Sequence, residues 1–70
     1  MQQTVIELTS EYIELNQLLK VAGLVDSGGA GKHMVESGVV SVDGKQELRK
    51  TAKIRSGQVV KVGDVRISVK

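Results

Sequence analysis

The residues that could do chemistry fall in two stretches. The first, Gly28-Gly29-Ala30-Gly31-Lys32, has the glycine density and terminal lysine of a loop that cradles phosphate. Its nucleoside-triphosphatase form fails on three counts. That form needs a glycine five positions before the last one, where Asp26 stands, and a Ser or Thr after the lysine, where His33 stands. It also needs a strand leading in, and here a helical pattern leads in. A milder chemistry survives. Ser27, Gly28 and Gly29 open a helix, whose unpaired N–H groups and dipole attract anions, and Lys32 lies about one turn inside. The same glycines suit a close crossing of two helices, and the two roles are compatible.

The second stretch holds Lys45, Arg49, Lys50, Lys53 and Arg55. On an alternating strand Lys45, Glu47 and Arg49 would share one face, and Lys53 and Arg55 a face further on. Long cations along an exposed strand suit phosphate contacts, which hold a protein on nucleic acid without reading its sequence. Lysines on an edge strand also block aggregation, so the run alone does not decide. His33 is the only histidine, cysteine is absent and no nearby carboxylate pair completes a metal or catalytic set. Acid–base and nucleophilic catalysis therefore find no constellation, and neither an enzyme nor a cofactor is expected.

The elements that must position these residues are few. Seventy residues allow one domain with a small core. The apolar residues are almost all aliphatic: Tyr12 is the only aromatic, with no Phe and no Trp, so a platform for stacking bases is not expected. A cysteine-free domain of this size points to a reducing compartment, taken here as the cytoplasm, and no apolar run is long enough for a membrane. Ten Lys/Arg against eight Asp/Glu leave a formal charge of only +2. Its distribution says more, because eight of the ten cations follow position 44 with only Glu47 and Asp64 opposing them. One cationic side is expected.

Residues 4–8 read as a short strand. Thr9 and Ser10 offer a helix cap, Glu11 and Glu14 suit the first turn, and Leu15, Leu18, Leu19 and Ala22 form one apolar stripe ending at Gly23. Asp26 and Ser27 cap a second helix over about residues 28–37, stopped by Gly38. Asp43-Gly44 is a two-residue hairpin signal between residues 39–42 and a strand from Lys45. Val59, Val60 and Val62, a Gly63-Asp64 turn, and Val65, Ile67 and Val69 supply a last hairpin. The order β-α-α-β-β-β-β predicts an α+β fold.

Residues 15–44 resemble the S4 RNA-binding domain, through Leu15-x-x-Leu18-Leu19-Lys20-x-Ala22-Gly23-Leu24-x-x-Ser27 and Val35-x-x-Gly38-x-Val40-x-Val42-Asp43-Gly44. Lys53-Ile54-x-x-Gly57-Gln58-x-Val60 looks like the pattern closing that domain. The likeness covers about residues 13–69 and is nearest to the short, stand-alone S4-like proteins of bacteria, with their glycine-bearing second helix and Arg49-Lys50-x-x-Lys53 segment. It implies an S4-like (αL) α+β fold: a short N-terminal strand extension (1–10), a helix-helix-hairpin motif (11–44) and a basic β segment (45–70) with a small, mostly antiparallel sheet. It also implies a basic surface for structured RNA, often ribosomal. The departures matter. Glu14-Leu15-Asn16 stands where the family commonly has Arg-Leu-Asp, Gly28 where it has Arg, Gly31 where it has Ala and Asp43 where it has Asn.

The expected interface is therefore Lys20, Ser27, Gly28, Gly29, Lys32, His33, Lys45, Arg49, Lys50, Lys53 and Arg55. With two family cations missing, affinity is expected to rest on the helix-two amides, Lys32 and the cations from Lys45 onward. The expected partner is structured RNA, ribosomal RNA or a ribosomal particle among the candidates, bound by a monomer without a small-molecule substrate. The rival is a protein-interaction module that keeps the fold without the RNA. A ubiquitin-like tag is argued against by Ile67-Ser68-Val69-Lys70 where such tags end in Gly-Gly.

Overall fold

Alternation of valine and isoleucine with polar residues builds most of the sheet. In the computed structural model, which describes residues 2–70, the strands are β1 (Gln2–Ile6), β2 (Ile13–Glu14), β3 (Val40–Val42), β4 (Lys45–Gln46), β5 (Lys53–Ile54), β6 (Val59–Val62) and β7 (Val65–Val69). The helices are α1 (Leu15–Val21) and α2 (Gly28–Glu36). Five strands form one sheet in the order β1-β7-β6-β3-β4, while β2 and β5 pair separately. Only β1 runs parallel to its neighbour, opposite β7; the other pairings are antiparallel. The α+β architecture expected from the sequence, two adjacent helices on a mostly antiparallel sheet, is the one observed.

The core forms where the apolar stripe of α1 meets the inward face of the sheet. Leu15, Leu18 and Leu19 are buried with Val35 of α2, Val40, Val60, Ile67 and Val69 of the sheet, and Ala52 and Ile54. Asp43 and Gly44 take φ of 51° and 85°, the left-handed pair that a two-residue hairpin needs, and set β3 against β4 as expected. Gly38, at φ 86°, ends α2 as expected.

Three expectations fail for physical reasons. The first strand is Gln2–Ile6 rather than 4–8, because its register is set by β7, with Gln2 opposite Val65 and Ile6 opposite Val69. Helix one does not begin after Thr9 and Ser10: the Ser10 hydroxyl donates to the Tyr12 carbonyl in a local turn, and the chain extends through β2 before α1 starts at Leu15. Glu14 is the N-cap residue but makes no side-chain cap; the N–H groups of Leu15 and Asn16 donate instead to the carbonyls of Ala52 (2.8 Å) and Lys50 (3.1 Å). The third failure is β4, which stops at Gln46, so Lys45, Glu47 and Arg49 do not share a strand face.

Candidate nucleic-acid interface

Ser27 opens α2 from an extended conformation (φ −149°), and its hydroxyl oxygen accepts the N–H of Ala30 at 3.1 Å. The N–H of Gly31 reaches the Ser27 carbonyl, which leaves the first-turn amides of Gly28 and Gly29 to point out of the helix end. The three glycines divide between the two roles read from the sequence. Gly31 is buried against the backbone of Asn16, with no space for a side chain. At Gly28 a side-chain carbon would meet the flexible end of Gln17, and at Gly29 it would meet only Ser27, at 3.9 Å. Packing thus requires Gly31, while Gly29 leaves its surroundings open. Lys32 and His33 are exposed on the same helix, and Lys20 is exposed in the last turn of α1.

Asn16 is the hinge point of the arrangement. It is 2% exposed, and its Oδ1 has no hydrogen-bond partner among the described residues. Its N–H holds the Lys50 carbonyl, and its own carbonyl faces Gly31 of α2. The segment carrying the basic run and the glycine-bearing helix therefore meet at one residue of α1.

Around that junction an open groove of about 650 Å³ is lined by Arg49, Lys50 and Lys53 together with Glu36, Leu48, Thr51 and Ala52. Its cations are partly neutralised. The guanidinium of Arg49 donates twice to the Glu47 carboxylate at 3.1 Å, and the Arg49 N–H adds a third bond. These bonds from Arg49, the side-chain ones foremost, hold the Glu47 carboxyl below its ordinary range and push the guanidinium up. Lys50 reaches Glu36 across 3.6 Å. Both pairs are solvent-exposed on the cationic side, where ion pairs are weak and exchange readily for another anion.

Lys53 stands opposite Glu14 in the β2–β5 pair, and its ammonium lies 4.9 Å from the centre of the Tyr12 ring. Arg55 lies over the same ring at 5.9 Å. Tyr12 is not in the interface expected from the sequence, because one aromatic makes no stacking platform; its cation–π role depends on β2 pairing with β5, which no local pattern announces. Lys45 is exposed at the β3–β4 turn, opposite Val42. No hydrogen bond or ion pair among the described residues joins Lys45, Lys20, Lys32 or His33 to the cluster around Lys50, and none of the four lines its groove.

A glycine-opened helix crossed tightly over a short first helix, with the following hairpin and basic loop folded against both, defines the class: the chain belongs to the S4 domain family, whose model matches residues 6–70. It is similar to "Putative RNA-binding protein YbcJ" of Escherichia coli K12, 45% identical over 49 residues that make up 70% of each chain, and to YbcJ of Shigella flexneri at the same identity and coverage. Among solved structures it resembles the solution structure of E. coli YbcJ, with a TM-score of 0.65 and 34% identity over 97% of this chain and 87% of that one. That structure is described as revealing an αL motif involved in RNA binding.

Proposed function

We propose that this chain is a non-catalytic RNA-binding module that docks, as a monomer in the cytoplasm, on the phosphate backbone of structured RNA, ribosomal RNA among the candidates. The observation that carries the reading is the junction at Asn16, where Gly28, in the open first turn of α2, and the Arg49–Lys50–Lys53 groove adjoin the same turn of α1. A backbone laid across this surface would meet N–H donors at one phosphate and long cations at the next, displacing Glu36 and Glu47 from their weak pairs. The likeness to YbcJ and membership of the S4 family support the same reading.

Binding of this kind releases counterions, so affinity should fall with salt. Four neutralised phosphates imply a loss on the order of 150-fold between about 50 and 200 mM salt. Electrophoretic mobility shift with a folded RNA at those two salt concentrations tests it, for the wild type and a Lys50→Glu/Lys53→Glu double variant. Salt-sensitive binding that the variant loses is expected. Absence of binding, or binding indifferent to the variant, would overturn the reading and leave the protein-interaction module in its place.

A further inference from the structure

The sheet carries a second cationic site on the face turned away from α1 and α2. Val40, Val60, Ile67 and Val69 point inward to the helices, so strand alternation turns the residues between them outward. The register then lines up one outward residue from each of the five strands. Gln3 of β1 stands opposite Arg66 of β7, and Arg66 opposite Lys61 of β6. Lys61 in turn faces Ser41 of β3, and Ser41 faces Gln46 of β4. The row reads amide, guanidinium, ammonium, hydroxyl, amide, with no carboxylate in it.

At its centre two like charges are direct cross-strand partners, a placement that brings the side-chain roots to about 4.5–5.5 Å and destabilises a sheet. Lys61 and Arg66 are both exposed, and among the described residues neither forms a salt bridge, Asp64 in the adjoining turn included. Gln46 has committed its amide to the Gly38 carbonyl at 2.9 Å, but Gln3 and Ser41 flank the pair with neutral donors. An uncompensated pair of cations, bordered by donors on an open face, is complementary to an anion that sits between two strands. A phosphate on a nucleic-acid backbone has that charge and size.

We propose that this face is a second RNA-docking surface, on which Lys61 and Arg66 straddle one backbone phosphate while the helix face holds another RNA segment. One chain then bridges two RNA segments. The inference rests on the RNA reading above and adds a surface that the S4-type helices do not supply.

The test uses short RNA duplexes, one population labelled with a donor dye and one with an acceptor, and the full chain. Wild-type protein is expected to bring the two labels together. A Lys61→Gln/Arg66→Gln double variant is expected to bind single duplexes but lose that transfer, with its salt slope reduced by about 1, for the one phosphate the pair would hold. Its thermal midpoint should rise, because the repulsion is gone; a merely structural pair would instead leave RNA binding untouched. The inference is overturned if wild type binds one duplex but never two, or if the variant keeps both slope and transfer. Displacement from this face by polyglutamate as effectively as by RNA would also overturn it, assigning the face to an acidic protein. Failure of the broader reading looks different, since wild-type protein would then bind no duplex at either salt.

Discussion

The carbonyl oxygen of Asn16 lies 2.5 Å from the point where a side-chain carbon on Gly31 would stand, and the Asn16 Cα lies 3.1 Å from it. Both are backbone atoms, so neither can swing aside. A methyl at Gly31 would gain helix propensity worth about 1 kcal/mol, but overpacking of a fixed crossing costs about 1–3 kcal/mol. The clash wins. Gly31→Ala is expected to lose about 1–2 kcal/mol of stability, read as a lower midpoint in urea with an unchanged slope. A variant as stable as the wild type would show that α1 and α2 can separate freely.

Gly29 should behave in the opposite way. A side chain there meets only the Ser27 hydroxyl, and it would lean toward the helix N-terminus, over the amides assigned to phosphate. Gly29→Ala is expected to match or exceed wild-type stability by up to about 1 kcal/mol while weakening RNA binding several-fold. Gly28→Val should likewise lower affinity more than thermal stability, since its neighbour is the movable end of Gln17. Equal loss of folding and binding at both positions would reduce them to packing residues.

Tyr12 holds Lys53 and Arg55 by its ring face. Cation–π contacts at exposed sites are worth about 0.5–1 kcal/mol, which corresponds to roughly 2–5-fold in affinity if the pair is pre-set for RNA. Tyr12→Phe should therefore bind as wild type, and Tyr12→Leu should bind 2–5-fold more weakly with the loss greatest at low salt. Equivalent titration curves for the Leu and Phe variants would remove Tyr12 from the interface.

The carboxylate of Asp43 accepts the N–H of Val59 at 3.0 Å and the amide of Gln58 at 3.1 Å, tying the β3–β4 turn to the start of β6. The Val59 bond foremost, then Gln58, holds its carboxyl below the ordinary range, and Glu47 is lowered by Arg49. Both groups bind protons less readily folded than unfolded. Their contribution is complete above the usual carboxylate range of about pH 4 and is lost as pH falls through the lower folded-state values. Thermal midpoints should be level from neutral pH to about pH 5 and fall below about pH 4. Asp43→Asn, which can keep the left-handed turn, should fall less steeply; an unchanged acid limb would mean that the Asp43 bonds do not form in solution.

What was legible in the sequence was local. The Ser27 cap, the Gly38 stop and the Asp43-Gly44 hairpin each rest on residues within a few positions, and each is where the pattern put it. The start of α1 was not legible, because its cap comes from Lys50 and Ala52 on another part of the chain. For the same reason β2 and β5, two residues each, left no periodicity to find. In the basic stretch, counting cations overstated the free charge: Glu47 sits two residues from Arg49, a visible signal, but the approach of Glu36 to Lys50 exists only after folding. The pairing of Lys61 with Arg66, by contrast, follows directly from a two-residue turn at Gly63-Asp64.

A helix of seven residues is far too short to persist alone in water. With its first N–H groups held by carbonyls from beyond the hairpin, α1 can become permanent only after most of the chain has been synthesised. A nascent chain therefore has little helical order to protect until that distal loop arrives. Anything that later grips the loop steadies α1 at the same moment, so slowed amide exchange in residues 17–21 would report occupancy of a groove that those residues do not line.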